Sequence, residues 1–128
     1  MARKKSPTLT DAELRVMEVL WRLERATVAE ITEALPPPPI AYNTVLTTLR
    51  ILETKGHVAH EETGGRAYIY RPLMERASAE QSAIKHVISR FFGDSGSALA
   101  LRLIEREKPS REELDQLRAL IDRYEEQA

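Results

Sequence analysis

Three helix-start signals constrain the fold of this 128-residue chain more than any other feature of its sequence. Each is a capping box, in which a Ser or Thr hydroxyl accepts a hydrogen bond from the third amide of a helix while a Glu at that third position bonds back. The boxes begin at Thr10, Thr27 and Ser110. Because an apolar run with helical spacing follows each box, the sequence predicts a mainly helical protein.

A stiff connector separates the second helix from the third. The second helix must end by Leu35, because residues 36–39 are four consecutive prolines, which lack an amide donor and disfavour helix in the preceding residue. The third helix is predicted over about residues 41–55, with Gly56 as its C-cap. We interpret the prolines as a rigid turn, and a ligand for an SH3-like partner is the alternative interpretation.

A β-hairpin is predicted directly after the third helix. Residues 57–62 and 66–71 read as strands on either side of a glycine-containing turn at 63–65, and Pro72 closes the hairpin. Three helices followed by a hairpin is the order of a winged helix-turn-helix, in which the third helix enters the major groove of DNA and the hairpin forms the wing. The predicted fold is therefore mainly α with a small β-hairpin, and residues 1–72 are predicted to form a winged-helix DNA-binding domain.

The third helix should carry the groups that read bases. Its apolar stripe is formed by Val45, Leu49 and Leu52, so its polar residues lie on other faces. Asn can read adenine, Arg can read guanine and a Thr methyl can contact thymine, while cations nearby can contact phosphates or the minor groove. A solvated helix face without a ligand is the alternative. The predicted DNA-binding residues are Tyr42, Asn43, Thr44, Thr47 and Arg50 on the helix, Lys55 at its end and Arg66 on the wing.

The chain after the hairpin is helical again, with helices predicted over about residues 74–92, 97–107 and from 110 onward. Three helices in so short a segment bury too little apolar surface to be stable alone. We therefore predict that residues 73–128 form a three-helix dimerisation domain, so that a homodimer addresses a palindromic operator. Packing back on the winged helix as a monomer is the alternative. The residues expected at the dimer interface are Ile84, Val87, Ile88, Phe91, Leu99, Leu101, Leu103, Leu114, Leu117, Ile121 and Tyr124.

Composition excludes several classes of protein. The chain has no Cys, which excludes disulfide frameworks, cysteine metal clusters and thiol nucleophiles. No apolar run reaches the ~18–20 residues of a membrane helix and no signal-peptide core follows the basic N-terminus, so a cytoplasmic protein without membrane insertion is expected. No phosphate-binding glycine loop, paired-carboxylate site or Ser/His/Asp site is visible, so neither an enzyme nor a cofactor is expected.

The charge balance argues against simple electrostatic attraction to nucleic acid. The formal net charge is -1, so any affinity for DNA must come from cations gathered on one face. This balance is the best support for an alternative function, a winged helix that serves only as a protein–protein adaptor. A metal site at His57 and His60 is not expected, because residues three apart on a strand point to opposite faces.

Four segments of the chain carry motifs of a known family. They are Ala12-Glu13-x-x-Val16-Met17-x-x-x-Trp21, Tyr42-x-Thr44-Val45-x-Thr47-x-Leu49 with the following Lys55-Gly56, Arg66-x-x-x-Tyr70-x-Pro72, and the segment from Ser97 to Leu120. Together, over residues 9–124, they resemble the BlaI/MecI family of penicillinase and methicillin-resistance repressors. The second segment resembles the family's recognition helix, the third its wing strand and the fourth its dimerisation segment.

This resemblance implies a dimeric transcriptional repressor on a dyad operator, released when a membrane-bound sensor metalloprotease cuts its dimerisation domain. The family's scissile Asn-Phe bond aligns with Arg102 and Leu103, within residues 97–107. Either the protease differs or repression is relieved in another way. Ile51 stands where an Arg is usual, and Ala41 stands where a Ser often begins the recognition helix. The cysteine cluster of the copper-responsive relatives is absent.

Overall fold

The computed structural model describes residues 8–127, which form six helices and a three-stranded antiparallel sheet. The predicted mainly α fold with a β-hairpin is confirmed. The elements in chain order are α1 (Asp11–Leu23), β1 (Ala26–Thr27), α2 (Val28–Ala34), α3 (Tyr42–Thr54), β2 (Val58–Glu62), β3 (Tyr68–Pro72), α4 (Arg76–Phe91), α5 (Gly96–Glu107) and α6 (Arg111–Gln127).

All three predicted capping boxes are present. In each box the hydroxyl accepts from the amide of the Glu three residues later, at 3.1 or 3.2 Å, and the Glu carboxylate accepts from the amide of the capping residue at 2.8 to 3.0 Å. These bonds satisfy amides that would otherwise lack a partner at the start of a helix. The pairs are Thr10–Glu13, Thr27–Glu30 and Ser110–Glu113.

The sheet contains one strand more than the sequence predicts. The hairpin pairs β2 with β3 from Val58↔Pro72 to Glu62↔Tyr68, so its strands start and end within two residues of the predicted bounds. The additional strand, β1, has only two residues and pairs with β3 on the other side, in the order β1-β3-β2. A two-residue strand is too short to show alternation, which is why the sequence predicts only two strands.

The core of the winged helix lies where the three helices meet the sheet. Helix α1 contributes Met17 and Leu20 to it, α2 contributes Ile31, and β2 and β3 contribute Val58 and Tyr70. Helix α3 packs against these side chains with its apolar face, which contributes Val45, Leu49 and Leu52 to the same core.

The chain divides into two compact units, one ending at His86 and the other beginning at Val87. The first unit extends beyond the predicted domain boundary at the end of the hairpin, because the start of α4 is tied to α1. The Trp21 indole N–H donates to the Met74 carbonyl at 2.8 Å, and the Arg76 guanidinium lies over the Trp21 ring at 5.3 Å from its centroid. The predicted functional division after residue 72 stays a prediction.

No residue of α4, α5 or α6 is buried within the described chain. Helix α5 begins one residue earlier than predicted, because the Ser95 hydroxyl caps it by accepting from the Ala98 amide at 3.1 Å. None of the described helices is both long and apolar enough to cross a membrane. Among the residues predicted for dimerisation, Ile88, Leu99, Leu114 and Leu117 are half-buried, and Ile84, Val87, Phe91, Leu101, Leu103, Ile121 and Tyr124 are exposed.

Candidate nucleic-acid interface

Helix α3 is anchored by one face and exposes the other. Val45, Leu49 and Leu52 are fully buried, and the buried Thr48 hydroxyl donates to the Thr44 carbonyl at 2.8 Å. Because an α-helix turns about 100° per residue, the remaining residues project together from the far side. The exposed residues of this face are Asn43, Thr44, Thr47, Arg50, Ile51 and Thr54.

The start of α3 has no side-chain cap. Ala41 occupies the N-cap position and makes no side-chain hydrogen bond to the first turn, as its poor capping ability predicts. The amides of Thr44 and Val45 bond the Ala41 carbonyl, each at 3.0 Å. The exposed Tyr42 is the first residue of the helix. The first turn of α3, where the positive end of the helix dipole lies, contains no acidic residue.

Two arginines from different elements face one cleft between α3 and the wing. Arg50 comes from α3 and Arg66 from the loop between β2 and β3, and they line a cleft of about 230 Å³ together with Tyr42 and Tyr68. Within residues 8–127 neither guanidinium has a hydrogen-bond or ion-pair partner. A chain with a formal net charge of -1 therefore still gathers unpaired positive charge on one surface.

Lys55 is placed differently from the other predicted contact residues. Its ammonium donates to both carboxylate oxygens of Glu13, at 2.8 and 3.1 Å. The Lys55 side chain is only 14% exposed and the Glu13 side chain only 4%. Burial alone raises the pKa of Glu13, but the hydrogen bonds from Lys55 and Thr10 outweigh burial and hold that pKa below its ordinary value. Lys55 therefore joins the end of α3 to the start of α1, and its ammonium is not free for a phosphate.

The base of the wing is tied to the end of α3. His60 Nδ1 on β2 lies 2.6 and 2.8 Å from the two carboxylate oxygens of Glu53 on α3. The His60 ring stacks on Tyr68 with centroids 4.4 Å apart. The buried Tyr70 also lies against the His60 ring, with centroids 5.7 Å apart. Burial raises the pKa of the Tyr70 phenol, and the Glu53 carboxylate raises it further. These contacts position the wing relative to the exposed face of α3.

A second group of charges reinforces the sheet beside the wing. Glu61 on β2 accepts from the Arg25 guanidinium at 2.5 Å, and its other carboxylate oxygen forms an ion pair with Arg71 Nε on β3 at 3.2 Å. Among the described residues no group of three His, Asp or Glu side chains is placed to hold a metal ion. His60 instead pairs with Glu53, so its role in the described structure is to hold the wing.

The structure thus brings most of the predicted DNA-binding residues to one surface. Asn43, Thr44 and Thr47 lie on the exposed face of α3, and Arg50 and Arg66 border the adjoining cleft. Sequence reasoning missed the residues that position this surface. They are Glu13, Glu53, His60 and Glu61. Glu53 and His60 are close in sequence, but the partners of Glu13 and Glu61, Lys55 and Arg25, are too distant for any local pattern to indicate them.

The chain is similar to known proteins over nearly its whole length. The model of the family described as "Penicillinase repressor" matches residues 9–123, nearly the whole chain. The chain belongs to the penicillinase repressor family. This family is one of DNA-binding transcriptional repressors and not of enzymes, which confirms both the predicted class of function and the predicted resemblance.

Individual members of the family and solved structures show the same likeness. The chain is 26% identical over 122 residues to the penicillinase repressor of Bacillus licheniformis, covering 94% of each chain. It is 22% identical over 120 residues to the methicillin resistance regulatory protein MecI of Staphylococcus aureus (strain N315), covering 93% of this chain and 97% of that one. The DNA-binding domain of the repressor BlaI is 31% identical with a TM-score of 0.50, covering 59% of this chain and 93% of that domain.

Proposed function

We propose that this repressor acts as a homodimer on an inverted-repeat operator, with α3 in the major groove and the wing on the adjoining backbone. The observation that carries the proposal is the exposed polar face of α3 beside the unpaired Arg50 and Arg66. A relative whose structure is that of a DNA-binding domain supports the same ligand. Asn43, Thr44 and Thr47 would face base edges, and Arg66 would contact phosphate or the minor groove.

The exposed apolar surface of the C-terminal helices supports self-association. Phe91 on α4 is 78% exposed, and α5 and α6 form an open apolar groove of about 550 Å³ lined by Leu103, Ile104, Leu117 and Leu120. An apolar surface of this extent is costly in water and is typical of an interface. A second copy of the chain would cover it and would place two α3 helices on one operator.

Release by a membrane-bound sensor protease is proposed at the Arg102–Leu103 bond. Both residues are exposed on α5, within the segment predicted from the family resemblance. A cut there would detach α6 from the rest of the chain and so remove part of the surface proposed for self-association. Finding only intact chain in cells where the operator has become active would contradict this route.

Selection of bound fragments from a random-sequence duplex pool tests the repressor proposal. We expect one inverted-repeat motif with half-sites about one helical turn apart. Affinity for that motif should fall steeply as salt rises, because Lys and Arg contacts release counterions from phosphates. Recovery of no motif above the nonspecific background would contradict the proposal and favour the adaptor function.

Two arginine variants distinguish base reading from phosphate contact on the selected operator. Arg50→Ala should weaken binding by about tenfold per half-site and relax the preference at one base pair. Arg66→Ala should weaken binding to all sequences alike and reduce the salt slope by about one. Arg123→Ala, which removes an exposed cation of α6, is the matched control. Equal effects of all three variants in a fluorescence anisotropy titration would show that net charge alone drives binding.

A further inference from the structure

Ile51 is an exposed aliphatic residue on an otherwise polar face of α3. Its side chain is 46% exposed, and it stands on α3 between Arg50 and the exposed Thr54. Ile51 is not among the residues that α3 buries against the rest of the domain. The apolar surface of Ile51 is therefore available to whatever α3 contacts.

The helical period assigns Ile51 to one side of the face proposed to read DNA. With Thr47 at the centre, Ile51 projects about 40° to one side and Arg50 about 60° to the other. Thr44 projects within about 20° of Ile51. The Thr47 hydroxyl donates to the Asn43 carbonyl at 2.9 Å, so its proton is used within the helix. The side that holds Ile51 carries one hydroxyl, that of Thr44, while the other side carries the guanidinium of Arg50.

The major groove offers one apolar feature that matches such a side. Each base pair there presents hydrogen-bond donors and acceptors, and thymine alone adds a C5-methyl group. Isoleucine cannot donate or accept a hydrogen bond, and it would leave the amino group of a cytosine without a partner. Contact with a thymine would instead remove both the isoleucine side chain and the C5-methyl group from water.

We propose that Ile51 contacts the C5-methyl group of a thymine in each half-site and thereby contributes to operator specificity. This inference rests on the proposed function, since it requires α3 to lie in the major groove. It adds a specificity-determining residue whose contact is apolar, beside the polar contacts expected of Asn43 and Arg50.

Deoxyuridine substitution tests the contact, because it removes the C5-methyl group and leaves the base pair intact. Full-length chain is titrated against the selected operator with each thymine replaced in turn, in both half-sites, at fixed salt. We expect one thymine whose replacement weakens binding by about fourfold per half-site, the effect of one buried methyl group. In Ile51→Ala the same replacement should have no effect. The control Leu73→Ala removes an aliphatic side chain that is 49% exposed outside α3 and should keep the wild-type response.

The outcomes separate this inference from the function on which it rests. If every thymine can be replaced without loss of affinity, or if the loss of affinity is the same for Ile51→Ala, the Ile51 contact is wrong. The repressor function would still stand. Failure of the selection to give any motif overturns both. Trp21 fluorescence on unfolding checks that both variants keep the folded winged helix.

Discussion

Glu13→Gln is expected to lower the free energy of unfolding of the winged-helix unit by about 3 kcal/mol, because breaking a buried ion pair from one side leaves the other charge without a partner. The Lys55 ammonium, only 14% exposed, would lose both of its carboxylate bonds. The amide would also replace a carboxylate that accepts from the Thr10 amide at 2.8 Å. Because Trp21 is the only tryptophan of the chain, its fluorescence during urea unfolding reports on this unit.

The second capping box provides a matched control for this prediction. Glu30 occupies the same position in its box and makes the same bonds to Thr27, but it is exposed and has no ion-pair partner among the described residues. Glu30→Gln should therefore have a much smaller effect. Glu13→Gln combined with Lys55→Met should recover much of the lost stability, because replacing both buried charges removes the unpaired one. Equal losses for Glu13→Gln and Glu30→Gln would show that capping alone accounts for the effect.

The pH dependence of stability provides a second measurement on the same pair. The pKa of Glu13 is held below its ordinary value of 4.5 in the folded chain. The carboxylate therefore contributes its full stabilisation at pH values above about 4.5, and this contribution is lost as pH falls through the lower folded-state pKa. The difference in unfolding free energy between the wild type and Glu13→Gln should be constant above that range and shrink below it. A difference independent of pH would contradict the role of the charge.

The fold could be predicted largely because its signals are local. Each capping box lies within four consecutive residues, the proline run ends α2 unambiguously, and the hairpin follows from two strands around a glycine turn. Strand β1 was not predicted, because its two residues have no pattern of their own and form a strand only by pairing with Ile69 and Tyr70. Tertiary contact, rather than sequence preference, creates this element.

The candidate site was predictable only where it follows from helical period. Thr47 and Arg50 project from α3 opposite its apolar stripe, and this could be deduced from spacing alone. Lys55 shows the limit of such reasoning. A cation at the end of a helix is ordinarily exposed, but Glu13, 42 residues earlier, lies against it. The sequence indicates Glu13 only as a capping residue, and nothing in its spacing indicates that it is also buried.

The second large effect is expected at the C-terminal helices, where Ile121→Asp should convert the proposed homodimer to monomers. Ile121 is 54% exposed on α6 within the single chain and lies on the same face of α6 as Leu117 and Tyr124, four residues before it and three after it. A twofold interface would contain the carboxylate twice, and each copy would lose a buried aliphatic side chain and desolvate a charge. We expect dimerisation to weaken by about 1,000-fold, corresponding to about 4 kcal/mol.

The control for this variant introduces the same charge on the opposite side of the same helix. Ala119 lies about 160° from Ile121 around α6 and is exposed, so Ala119→Asp should leave the dimer intact. Sedimentation equilibrium at several concentrations measures the association of each variant. Trp21 fluorescence should show unchanged unfolding of the winged-helix unit, whereas operator affinity should fall for Ile121→Asp alone, because a monomer engages one half-site. A wild-type chain that is monomeric would remove the basis for two-site binding. An Ile121→Asp variant that stays dimeric would place this face of α6 outside the interface.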